Sequence, residues 1–121
     1  MAETTYTGGC HCGAVRFRTT LKLDKLLSCN CSICSRTGTL LGFATKPQFE
    51  LTSGADALSD YQFGKKRVHH LFCRHCGVRS FGRGAMPDGT EVYAVNARCL
   101  DGVDLSAIPV QHVDGKSIPM E

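Results

Sequence analysis

Eight cysteines stand in this 121-residue chain, and seven of them fall into three tight groups. Cys10 and Cys12 form a C-x-C pair, Cys73 and Cys76 a C-x-x-C pair, and Cys29, Cys31 and Cys34 a trio between them. An even count invites a disulfide framework, but thiols this close in sequence bond poorly to each other and converge readily on a metal ion. Paired C-x-C and C-x-x-C motifs are zinc-site spacings. The compartment argues the same way. Met1-Ala2-Glu3-Thr4-Thr5 has neither the basic nor the apolar stretch of a secretory signal, so a cytoplasmic protein is expected. Reducing cytosol dismantles ordinary disulfides. A thioredoxin-like redox pair is the other use of C-x-x-C, yet Phe72-Cys73-Arg74-His75-Cys76-Gly77 lies in no strand-to-helix context that would expose a thiolate.

The pairs and the trio point to different chemistry. The turns Cys10-His11-Cys12-Gly13 and Cys73-Arg74-His75-Cys76-Gly77 are equivalent devices, each aiming two sulfurs at one ion while a glycine relieves the backbone behind them. Four thiolates make a closed tetrahedral shell, so these pairs predict a structural zinc. The run Cys29-Asn30-Cys31-Ser32-Ile33-Cys34 offers three sulfurs. Zinc with three protein ligands keeps a position for water or substrate, where it acidifies what binds. A thiol is a natural fourth ligand. Two other readings stand beside this one: Cys99, or one of His11, His69, His70, His75 and His112, closes the shell, or the trio binds no metal. His11 and His75, inside the knuckles, read as spacers.

The elements that must position these sulfurs are mostly β. Hydrophobic residues at 42% and charged residues at 21% are globular composition, and the length predicts one domain over residues 1–121. No apolar stretch approaches the roughly 18 residues of a membrane span. The core is lean, with 7% aromatics, no tryptophan and 13 glycines, so metal ties would supply what packing lacks. Alternation predicts a strand over Ala14–Thr19, and turn signals bound further strands over Phe49–Thr52, Ala57–Phe63 and Glu91–Asn96. Val68–Phe72 and Val78–Phe81 flank the second cysteine turn, a hairpin with a zinc knuckle at its tip. A helical turn over Ser32–Arg36, stopped by Gly38, follows the trio. The tail from Ile108 reads as one more extended segment and a frayed end containing Pro119. The basic clusters Lys65-Lys66-Arg67 and Arg79 to Arg83 read as solvated strand ends. The formal charge of +3 falls to zero once seven thiolates and two zinc ions are included, which argues against nucleic acid as a partner.

Gly8-Gly9-Cys10-His11-Cys12-Gly13-Ala14-Val15-Arg16-Phe17, then Cys29-Asn30-Cys31-Ser32-Ile33-Cys34, then Phe72-Cys73-Arg74-His75-Cys76-Gly77 resemble the glutathione-dependent formaldehyde-activating enzyme family, also found in centromere protein V. The similarity spans roughly residues 5 to 105. It implies a mainly β fold of the Mss4-like type with short helical turns. It implies a structural zinc at Cys10, Cys12, Cys73 and Cys76 and a second zinc at Cys29, Cys31 and Cys34. It also implies a carbon–sulfur lyase that joins glutathione to formaldehyde, giving S-hydroxymethylglutathione. On that basis the thiol and the small aldehyde are the expected partners, and the open three-cysteine zinc is the expected catalytic centre. Arg36, beside the trio, is the candidate to hold a carboxylate of the thiol, with Arg98 behind it.

Two rival functions follow from the same residues. Both metals being structural would make the chain a non-catalytic interaction module. Cys99, in Asn96-Ala97-Arg98-Cys99-Leu100, is faintly similar to the active strand of B-type methionine sulfoxide reductases, which also carry a four-cysteine zinc; the plainer reading is a small buried hydrophobe.

Overall fold

The computed structural model describes residues 3–117. In chain order the strands are β1 (Thr4–Gly9), β2 (Arg16–Leu21), β3 (Leu26–Cys29), β4 (Leu41–Thr45), β5 (Phe49–Ser53), β6 (Leu58–Tyr61), β7 (His69–Cys73), β8 (Phe81–Ala85), β9 (Glu91–Asn96) and β10 (Val110–Val113). One single-turn helix, α1 (Cys34–Thr37), and several 3-10 turns connect them. The fold is mainly β, as the resemblance implies.

The strands form two sheets, three-stranded in the order β1-β2-β5 and seven-stranded in the order β10-β3-β4-β9-β8-β7-β6. Pairing is antiparallel except at one edge, where β10 lies parallel to β3 with Val113 opposite Cys29. The core lies between the sheets. Phe17 from β2 is 1% exposed, and Val15, Leu26 and Val95 are fully enclosed. Phe49 stacks against Phe17 at 5.4 Å and against Tyr93 at 4.4 Å, and its ring lies 4.6 Å from Phe81. Four rings from both sheets therefore carry much of a core that composition made lean.

Several boundaries differ from expectation, for local reasons. The strand expected over Ala14–Thr19 starts at Arg16 because Val15 serves the cysteine turn: its carbonyl accepts from Cys10 N at 3.0 Å. The strand expected over Val78–Phe81 starts at Phe81 instead. The Val78 carbonyl accepts from Cys73 N at 3.0 Å to close the knuckle, and the Arg79 carbonyl accepts from Asn96 Nδ2 at 2.8 Å rather than from the ladder. The segment Ala57–Phe63 shortens to β6, and the helical turn forms two residues later than expected, ending at Gly38. Strands β1, β3 and β4 were not expected. The extended tail segment is β10, whereas Pro119 lies outside the described residues. Lys65, Lys66 and Arg67 are exposed as expected, but Arg79 is half-buried.

Candidate metal centres

The first cysteine group draws on both sheets. The turn between β1 and β2 supplies Cys10 and Cys12; the last residue of β7 is Cys73, and the turn after it supplies Cys76. Gly13 (φ 82°) and Gly77 (φ 79°) sit in the left-handed region that each tight turn demands. All four sulfurs lie within 4.8 Å of one another, with Cys12 Sγ at 3.7 Å from Cys10 Sγ and 3.6 Å from Cys73 Sγ. A tetrahedral ion with bonds of about 2.3 Å to sulfur sets its ligands about 3.8 Å apart. A disulfide needs about 2.05 Å, and all eight cysteines are free.

Backbone N–H groups point at these sulfurs. Val15 N donates to Cys10 Sγ at 3.3 Å and His75 N to Cys73 Sγ at 3.4 Å. The N–H groups of Cys12 and Val78 pull the Cys76 thiol down to about 6. At Cys12 the Ala14 N–H pulls down, but burial and the facing sulfurs of Cys73 and Cys10 outweigh it and push the thiol up to about 11. Four sulfurs this close cannot all ionise without a cation, so their protons divide unequally. A bound cation removes that conflict for all four at once.

The second group is built by one short stretch. Cys29 ends β3, Cys31 lies in the following turn and Cys34 opens α1. Their sulfurs also lie within 4.8 Å of one another, and all three are half-buried. Cys31 N donates to Cys29 Sγ at 3.5 Å and Cys34 N to Cys31 Sγ at 3.4 Å. Burial, reinforced by the neighbouring Cys31, pushes the Cys34 thiol up to about 12. At Cys31 burial raises, but the Cys34 N–H and the thiols of Cys34 and Cys29 lower it further. Among the described residues neither group includes a histidine or Cys99.

The C-terminal segment is built against this trio. Asn30 N donates to the Val113 carbonyl at 3.2 Å, Asn30 Nδ2 to Asp114 Oδ1 at 2.9 Å, and Lys116 N to Asn30 Oδ1 at 2.9 Å. The buried Gly115 is thereby pressed onto the sulfurs: a Cβ there would stand 2.3 Å from Cys29 Sγ and 3.3 Å from Cys31 Cβ. Beside it opens a shallow groove of about 230 Å³ lined by Ser28, Cys29, Asn30, His112, Val113 and Asp114.

With the geometry in view, comparison with known proteins is decisive on family. Residues 5–113 match the glutathione-dependent formaldehyde-activating enzyme family. This chain belongs to that family. A similar solved structure is a Rhodobacter sphaeroides protein, 33% identical, which superposes with a TM-score of 0.76 over 87% of this chain and 99% of its own. The family supplies the coarse chemistry, a glutathione-dependent role in formaldehyde activation, and both cysteine groups can hold a metal ion. No helix among the described residues is long and apolar enough to cross a membrane.

The remaining candidates fall in distinct places. Arg36 is exposed on α1, and its Nη1 donates to the Ser32 carbonyl one turn back at 2.7 Å. Arg98 Nε donates to the Gly38 carbonyl at 3.3 Å. Cys99 accepts from Asn96 Nδ2 at 3.7 Å and donates to the Arg79 carbonyl at 3.6 Å, and burial pushes its thiol up. A thiol held protonated in this way suits packing better than attack. His69 pairs through Nδ1 with Asp60, and His112 lines the groove by Cys29. The structure adds one residue that the sequence left on a solvated strand end. Arg79 is half-buried and within electrostatic reach of Cys34 and Cys31.

Proposed function

We propose that this chain, acting as one cytoplasmic domain, joins glutathione or a similar thiol to formaldehyde or another small aldehyde. The observation that carries the reading is the contrast in donor number: four sulfurs close one centre, and three leave the other a position to fill. Both sets fit zinc by donor chemistry, since thiolate ligands suit it; in the first group the sulfur spacing also suits a tetrahedral ion, and in the second the three sulfurs lie within 4.8 Å of one another. Cys10, Cys12, Cys73 and Cys76 would hold a structural zinc. Cys29, Cys31 and Cys34 would hold the second, which when bound supplies a Lewis-acid centre that favours the ionised form of a thiol.

The chain's own residues supply position and proton handling. The Asn30–Asp114–Lys116 bonds hold the Gly115 backbone over Cys29, which covers the trio on that side. His112 lines this groove and would be the base there to take the thiol proton. The reaction is a simple addition. Sulfur forms a bond to the aldehyde carbon, the carbon–oxygen π bond breaks, and the oxygen takes a proton; nothing is oxidised or reduced. Arg36 is available to a carboxylate of the thiol once its guanidinium leaves the Ser32 carbonyl.

The test is formaldehyde consumption with glutathione, followed by NMR, for the zinc-loaded protein and for Cys31→Ser. Loss of the catalysed rate with far-UV circular dichroism unchanged is expected. An equal rate in the two proteins would sink the reading, and a zinc-loaded protein no faster than buffer would leave a zinc-stabilised module without catalysis.

A further inference from the structure

Two side chains in contact with each other carry buried donors that meet no acceptor among the described residues. Arg79 Nη2 donates to His70 Nδ1 at 2.9 Å. A guanidinium accepts no hydrogen bond, so that His70 nitrogen is the acceptor and its hydrogen resides on Nε2. His70 is 7% exposed, and its Nε2 together with Nε and Nη1 of Arg79 are buried and unpartnered. All three are N–H donors. Among the described residues the locus offers these donors no acceptor.

The charge says which kind. A buried guanidinium without a counter-charge is costly, and among the described residues no carboxylate pairs with Arg79. The Arg79 carbonyl accepts from Asn96 Nδ2 at 2.8 Å, and Arg98, two residues beyond Asn96, donates through Nε to the carbonyl of Gly38, the cap of α1, so Arg79 lies toward the helix that Cys34 opens, with Cys34 and Cys31 within its electrostatic reach. His70 adds no charge, because burial and the adjacent Arg79 favour its neutral ring. One net positive charge matches a carboxylate better than a phosphate, which carries nearly two negative charges at neutral pH. The planar guanidinium fork also matches carboxylate geometry. Phe63 stacks on His70 at 5.3 Å, which keeps water from one side of the ring.

We propose that Arg79 and His70 form an oxyanion site that receives a carboxylate of the thiol bound at Cys29, Cys31 and Cys34. This rests on the three-cysteine centre being the thiol site, and it deepens that reading by making the enzyme selective for thiols that carry a carboxylate.

The test compares glutathione with its diethyl ester, which differ only in the two carboxylates, by calorimetric titration into the zinc-loaded protein. The acid should bind at least about tenfold tighter than the ester, the strength typical of charge-assisted hydrogen bonds. Arg79→Met should erase that ratio by weakening the acid alone. Arg79→Gln, which keeps a donor for His70, carries the same expectation should the methionine variant fail to fold. Equal affinities for acid and ester in the unmodified protein would overturn the oxyanion site and leave the thiol site standing, with water the partner of these donors. A ratio that survives in both variants would do the same. Affinities that Cys31→Ser leaves untouched would instead remove the thiol site, while the ratio in the Arg79 variants still decides the oxyanion site.

Discussion

The two cysteine groups use the same ligand atom and differ in almost everything else. The first is assembled from turns whose sulfurs are 61 positions apart, one from each sheet, so any ion it holds fastens the sheets together. The second is assembled from six consecutive residues, and an ion there joins nothing that the chain has not already joined. Long-range closure ties the first group to folding, whereas local closure leaves the second without that task, in keeping with the role proposed for it. Donor number follows the same division, four against three.

The strongest way to break this comparison is to remove one ligand from each group. Cys73→Ser should leave a chain that fails to fold. A structural zinc contributes about 10–16 kcal/mol, comparable to the whole stability of an ordinary domain. Collapsed amide dispersion in NMR spectra would register this; a folded Cys73→Ser protein would erase the distinction between the groups. Cys31→Ser should instead keep the fold and the melting temperature within a few degrees, while zinc per chain drops from two to one. Native mass spectrometry reads both numbers, and a melting point as damaged as that of Cys73→Ser would make the two groups equivalent.

A gentler change sharpens the contrast. Gly115→Ala forces a methyl group against Cys29 Sγ and must displace either the tail or the sulfur. Overpacking of this kind costs about 1–3 kcal/mol, so the second zinc should be lost to a chromophoric chelator about tenfold faster or more, while the first is retained. Equal release from both sites would show that the tail does not support the trio. The smallest effect concerns the frame around the first group. Arg16 and Thr7 hold the Asp101 carboxyl below its ordinary value of 3.8. A lowered value means that the stabilisation is fully present above the ordinary carboxylate range and disappears as pH falls through the folded value. Asp101→Asn should therefore lower the melting temperature at pH 7 by less than about 3 °C, as expected of an exposed ion pair. With zinc in excess the difference should hold to about pH 5 and narrow below pH 4. A gap that widens in acid would contradict the assignment.

How much of this was legible depended on whether the signal was local. The knuckles were legible because cysteine pairs followed by Gly13 and Gly77 announce both the ligands and the turn that aims them. So was β9, a short apolar run entered through the turn Pro87-Asp88-Gly89. By contrast β1 is Thr4-Thr5-Tyr6-Thr7-Gly8-Gly9, with almost nothing apolar to alternate, and it exists because β2 offers it a ladder. Leu26-Leu27-Ser28-Cys29 is too short to show a period and becomes β3 only between β4 and the distant β10. The contact of Gly115 with Cys29 has no sequence signature at all. Arg79 reads in the sequence as part of a solvated strand end, Arg79 to Arg83. Its burial accompanies the break in the ladder at residues 78–80, where Val78-Arg79-Ser80 reads in the sequence as the start of a strand.

The span between the two knuckles also sets a schedule for synthesis. Cys10 and Cys12 leave the ribosome unable to complete their site until Cys76 has followed, which at about 5–20 residues per second is a delay of about 3–12 s. For that interval two thiols meant for a closed centre are open to oxidants and competing metals. The trio finds its sulfurs sooner, yet its cover waits for Val110 to Ser117 at the end of the chain. Maleimide labelling of stalled nascent chains would time both events, with Cys10 becoming protected only after Cys76 emerges. The centre whose ligands lie closest in sequence would then be the last to be finished, and a newly made molecule would be folded before it was competent.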